Sequence, residues 1–92
     1  MVEIRIQSYL TFPTDLAREM CSWPEYIRGE GYSVDLRDST TSEVVSVRYV
    51  DDENDYVVVR SDAPGQLFDR VVGRVVDAMS HHSDNLLVYR RD

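Results

Sequence analysis

Asp51-Asp52-Glu53-Asn54-Asp55 is the densest set of potential ligands in the chain. Carboxylates converging from one loop are what a hard cation such as Ca²⁺ or Mg²⁺ requires. An EF-hand loop needs glycine at its sixth position and glutamate at its twelfth. Counted from Asp51, those positions hold Tyr56 and Asp62. The run therefore reads as a solvated hairpin tip, and its functional potential lies in contact with an Arg- or Lys-rich protein surface. His81, His82 and Asp84 form a second candidate. Adjacent histidines leave a helix in different directions and rarely hold one ion without help from elsewhere. At a helix C-terminus they favour the dipole instead. Cys21, the single cysteine, cannot form an internal disulfide. No spacing brings it to His81 or His82 as a nucleophile would need, so it reads as a small core residue of the first helix. The glycines are dispersed and make no phosphate loop. No catalytic residue, metal or cofactor is expected.

The aromatic residues read differently. Trp23, Tyr26, Tyr49, Tyr56 and Tyr89 are large, semi-polar side chains, several with arginine beside them. Such residues anchor protein interfaces when they are not used for packing. Trp23, Tyr26, Tyr49 and Tyr56, with Asp51, Asp52, Glu53 and Asp55, are the expected partner-binding set.

The elements that position them follow from hydrophobic periodicity. Val2, Ile4 and Ile6 alternate with Glu3, Arg5 and Gln7, the pattern of a half-buried strand. Two helical pieces are expected next, about 13–21 and 23–29, because Pro24 interrupts the run and Ser22-Trp23-Pro24-Glu25 has capping-box spacing. Tyr32 to Leu36, Glu43 to Val50 and Tyr56 to Ser61 are strands, with 51–55 as the tip between the last two. The valines at 44, 45, 47, 50, 57, 58 and 59 are too dense for clean alternation, so both sheet faces are partly covered or one meets a partner. Asp62 is the expected cap of a second helix. Leu67, Phe68, Val71, Val72, Val75, Val76 and Met79 give its apolar face, with Val72 and Val76 buried beside Phe68. Leu86 to Arg90 is a last strand.

Residues 1–92 thus form one α+β domain in β-α-β-β-β-α-β order. The expected architecture is a two-layer sandwich, a ferredoxin-like variant, with two helices on one face of a mixed or mostly antiparallel sheet. If both β-α-β units are crossovers, four strands run parallel and the Glu43–Val50 strand runs opposite. The other sheet face stays open, and a valine- and tyrosine-bearing face of that kind favours a homodimer.

Charge selects the partners. The 92 residues hold ten arginines, no lysine and seventeen carboxylates, a net charge of −7. The inner α-β-β-β-α order resembles that of double-stranded RNA-binding domains. Those domains open their second helix with lysines, whereas this chain has Asp62-Ala63-Pro64-Gly65-Gln66 there. Without clustered cations, neither nucleic acid nor an anionic membrane is an expected ligand. One free cysteine and the lack of a long apolar run make cytoplasmic the expected location. The function expected is non-enzymatic: stoichiometric binding to a protein with a basic surface, in the manner of an inhibitor, immunity protein or phage anti-defence protein. The alternative is a small homodimeric enzyme or ligand-binding subunit with its pocket between subunits.

Overall fold

The computed structural model describes residues 1–8, 13–31, 33–50, 56–81 and 86–91. It contains β1 (Val2–Ser8), α1 (Pro13–Met20), β2 (Tyr26–Glu30), β3 (Ser33–Arg37), β4 (Val44–Val50), β5 (Tyr56–Ser61), α2 (Gln66–Ser80) and β6 (Leu86–Arg91). The strands form one sheet in the order β2-β3-β4-β5-β1-β6. Every neighbouring pair is antiparallel. This is an α+β fold compatible with a two-layer sandwich.

Six strands stand where five are expected, and the difference lies at residues 23–29. Tyr26–Glu30 is a strand paired with β3, not a helix. The capping box fails because both of its side chains are taken. The Ser22 hydroxyl donates back to the Glu19 carbonyl at 2.6 Å, and the Glu25 carboxylate accepts from Arg74 at 2.8 Å. Tight turns through Ser22, Trp23 and Tyr26 then deliver the chain to the sheet edge. There Tyr26 and Ile27 suit a strand, and Gly29 gives a helix no support. The extra strand reverses β3 relative to β1, whereas β5 and β6, joined through α2, run in the same direction with β1 between them. β2 to β5 form a meander, and β1 inserts between β5 and β6.

Strand parity assigns the two faces. Ile6 lies opposite Val57, Ile4 opposite Val59, Val47 opposite Val59, Val34 opposite Val47 and Leu36 opposite Val45. All are buried in one core with Leu16 and Met20 of α1 and Leu67, Phe68, Val71, Val75 and Met79 of α2. The alternate residues of the same strands form the opposite face, which neither helix covers. The apolar stripe of α2 is rotated from the expected one. Val71 and Val75 are fully buried, whereas Val72 and Val76 are only partly so. Cys21 is exposed rather than in the core, because α1 ends at Met20.

The N-terminus of α2 is capped from a distance. Asp62 does not cap it; Gly65 stands at the cap and supplies no side chain. The Glu43 carboxylate instead accepts from the Gly65, Leu67 and Phe68 amides at 2.9, 3.1 and 2.8 Å. A Cβ at residue 65 would lie 2.7 Å from a Glu43 oxygen, so any other residue there must displace the capping carboxylate. Glu43→Ala leaves these amides without their charged acceptor and is expected to cost about 1–2 kcal/mol, read by chemical denaturation.

Candidate functional site

The uncovered sheet face carries charge in cross-strand rows. One row runs Arg28, Asp35, Ser46, Arg60, Glu3 and Arg91 from β2 to β6. The next runs Glu30, Ser33, Arg48, Val58, Arg5 and Tyr89. Arg37, opposite Val44, is a sixth arginine on this face. On the strands they are opposed by Glu3, Glu30 and Asp35, and Asp62 and Glu43 lie beside Arg48 and Arg60 at the sheet end. A chain of net charge −7 therefore holds a cationic face.

Arg5, Arg48 and Arg60 make the centre. Arg5 and Arg48 flank Val58 on adjacent strands, and Arg60 follows two residues along β5. Val58 is only 5% exposed and belongs to the uncovered face, not to the core beneath the helices. Arginine stems lying along apolar surface account for such shielding. Arg5 donates from Nε to Glu3 Oε2 at 2.8 Å and sits 5.2 Å from the Tyr56 ring centre. The Glu3 carboxylate holds the Arg5 guanidinium above its ordinary pKa, the hydrogen bond contributing most. The second Glu3 oxygen lies 3.9 Å from Arg60 Nε. Arg48 is exposed and forms no ion pair among the described residues. Arg5 and Arg60 thus share one carboxylate and Arg48 has none among the described residues, which leaves capacity for an external anion. Beside them lies a groove of about 460 Å³ lined by Met1, Ser33, Ser46, Arg48, Arg60 and Asp62 among others.

A second cluster ties the helical layer together. Arg74 donates to Glu25 Oε1 at 2.8 Å and stacks over Trp23, 5.1 Å from the ring centre. Arg70 reaches Asp38 at 3.0 Å and the other Glu25 oxygen at 3.8 Å. The Arg74 hydrogen bond holds the Glu25 carboxyl below its ordinary value of 4.5. Hydrogen bonding from Arg28 does the same for Asp35, and the Thr40 and Thr41 amides do so for Asp38, both below 3.8. All three folded values are depressed. Their stabilisation is therefore complete above pH about 4.5 and is lost as pH falls through the lower folded values. Stability is expected to be level near neutrality and to fall steeply below pH 4, with a shallower fall in Glu25→Gln, measured by urea melts across pH.

The described members of the expected contact set, Trp23, Tyr26, Tyr49 and Tyr56, do not gather on one face. Asp51, Asp52, Glu53 and Asp55 lie outside the described residues, as do His82 and Asp84. Tyr49 points inward and packs on the core, as do Trp23 and Tyr26 from the helical side. Hydrogen bonding with Cys21 raises the Tyr26 phenol above its ordinary pKa. Tyr56 alone of the set joins the uncovered face, under Arg5. His81 is exposed, 3.7 Å from Asp77. Among the described residues, no three His, Cys, Asp or Glu side chains converge as a metal ion would need. Net charge, a sum over the chain, conceals the central arginines. Projecting Arg5, Arg48 and Arg60 onto strand faces is the signal that finds them.

No protein-family model, curated protein or solved structure matches the chain. No helix among the described residues is long and apolar enough to cross a membrane.

Proposed function

We propose that this chain acts by stoichiometric binding to a protein partner, as an inhibitor, immunity protein or phage anti-defence protein does. The observation that supports this reading is the breadth and patterning of the uncovered face. Six strands at about 4.8 Å spacing give a surface some 24 Å across, the scale of a protein footprint rather than a ligand cleft. Its charges alternate along the row from Arg28 to Arg91, an arrangement that selects one docking register. The partner is a protein carrying carboxylates opposite Arg5, Arg48 and Arg60. It also carries a basic area that receives the acidic residues joining Val50 to Tyr56. This pairing of opposite signs orients the complex. The sheet order is read as a ferredoxin-like pattern widened by one hairpin, and the location as the cytoplasm.

The groove beside Arg48 favours a second reading, a ligand-binding subunit for a small anion, since Arg48, Arg60 and four serines line it, with Glu43 and Asp62 at its border. Affinity capture followed by native mass spectrometry separates the two readings. A protein held at fixed stoichiometry supports the first. Retention of a small phosphate- or carboxylate-bearing molecule, with no protein, supports the second.

A further inference from the structure

We infer that the chain forms a two-fold symmetric dimer by pairing β6 with β6 of a second copy, a contact separate from the proposed partner surface. Among the described residues the sheet ends in two edge strands, β2 and β6. Natural edges are protected by bulges, charges or short length. β2 has its register broken between Tyr26 and Arg28 and carries Arg28, Gly29 and Glu30 along the rest. β6 pairs with β1 in unbroken register from Leu86 to Arg91. Leu87 and Tyr89 on one face and Val88 on the other are 42, 49 and 51% exposed, half of the large exposed apolar residues described. The unbulged edge is also apolar over Leu86 to Tyr89, with its charge confined to Arg90 and Arg91 at one end.

The sequence of β6 suits a copy of itself. Antiparallel neighbours must share both face and hydrogen-bonding class, so residue numbers of a pair sum to an even value. Centring the two-fold on Val88 places Val88 opposite Val88, Leu87 opposite Tyr89 and Leu86 opposite Arg90. This register pairs five residues of each strand, with apolar side chains at the centre. The Arg90 and Arg91 positions of the two copies go to opposite ends of the contact. Centring on Tyr89 instead puts Arg90 against Val88 and Arg91 against Leu87. A head-to-tail contact of β6 with β2 meets the bulged edge, so closure at two copies is favoured over an open filament. Directly opposed residues lie on one face, so both helical layers share one side and the two arginine-bearing faces become continuous.

Sedimentation equilibrium of the pure protein reads the assembly directly. A mass rising to twice that of the chain between about 1 and 500 μM is expected, since a strand-edge contact is smaller than a standard interface. Val88→Lys, at a half-exposed site, should stay monomeric throughout with an unchanged circular dichroism spectrum. The register is tested in a Cys21→Ser background. Val88→Cys should form a disulfide dimer under mild oxidation, because opposed Cα atoms lie about 4.5–5.5 Å apart, within disulfide range. Leu87→Cys, displaced from its own copy, should crosslink at least tenfold more slowly. A monomer at all concentrations overturns the inference. So does a dimer that survives Val88→Lys, or equal crosslinking at 87 and 88. Because no partner is present, failure here leaves the partner-binding reading separately testable.

Discussion

Val75→Asp is expected to abolish folding, and Val72→Asp, three residues earlier on the same helix, is expected to leave a folded protein. Val75 has no solvent exposure and lies at the centre of α2 within the single core. A carboxylate there would lose its water and gain no cation. The nearest helix arginine, Arg74, is already engaged by Glu25 and Trp23. Burying an unpaired charge costs several kcal/mol, and it shifts its pKa upward rather than stay ionised. A domain of this size has on the order of 5–10 kcal/mol of total stability. Val72 is only partly buried, so its replacement can turn a carboxylate to solvent, at a cost of about 1–2 kcal/mol. Far-UV circular dichroism and urea titration distinguish the two. Equal loss at both positions would mean that the inward face of α2 is misassigned.

Reversal of the central arginines is the second large effect. Arg48→Glu with Arg60→Glu is expected to weaken association with the partner at least 100-fold while leaving the melting temperature within a few degrees. Arg48 is exposed with no ion pair among the described residues, and Arg60, half-buried, meets Glu3 only at 3.9 Å and the Met1 sulfur at 2.8 Å. Exposed charges of this kind contribute little to folding. At a docked interface they act differently. Each reversed side chain sets a carboxylate against the partner's carboxylate, and like charges brought together cost several kcal/mol. Replacing Asp51, Asp52, Glu53 and Asp55 by Ser and Asn should act on the association rate instead, several-fold and most at low salt. Surface plasmon resonance at two salt concentrations reads both effects.

The sequence discloses what local periodicity encodes. Tyr56–Ser61 is a strand with the expected ends, β1, β3, β4 and β6 lie within two residues or so of expectation, and α2 follows its three-and-four spacing. What escapes a local reading is decided by distant residues. Ser22 and Glu25 have the spacing of a helix start, but Arg74, far along the chain, takes the Glu25 carboxylate. Asp62 has the position and chemistry of a cap, but Glu43 arrives from the start of β4 with two oxygens for three amides. The reversal of β3 against β1 has the same cause, since the unforeseen β2 takes the direction expected of β3. The cationic face was hidden differently. Net charge is a property of the whole chain, whereas binding depends on which arginines share a face. Arg5, Arg48 and Arg60 come together only when β1, β4 and β5 are aligned in register.

The most direct measurement is an NMR titration of the arginine side-chain Nε–Hε resonances with the captured partner. The resonances of Arg5, Arg48 and Arg60 are expected to shift and broaden together to saturation at a fixed molar ratio, while those of Arg70 and Arg74 stay in place. Arg70 and Arg74 belong to the helical layer, on the far side of the sheet. Movement of Arg70 and Arg74 with Arg5, Arg48 and Arg60 unchanged would contradict the account and place the partner on the helices, beside Trp23.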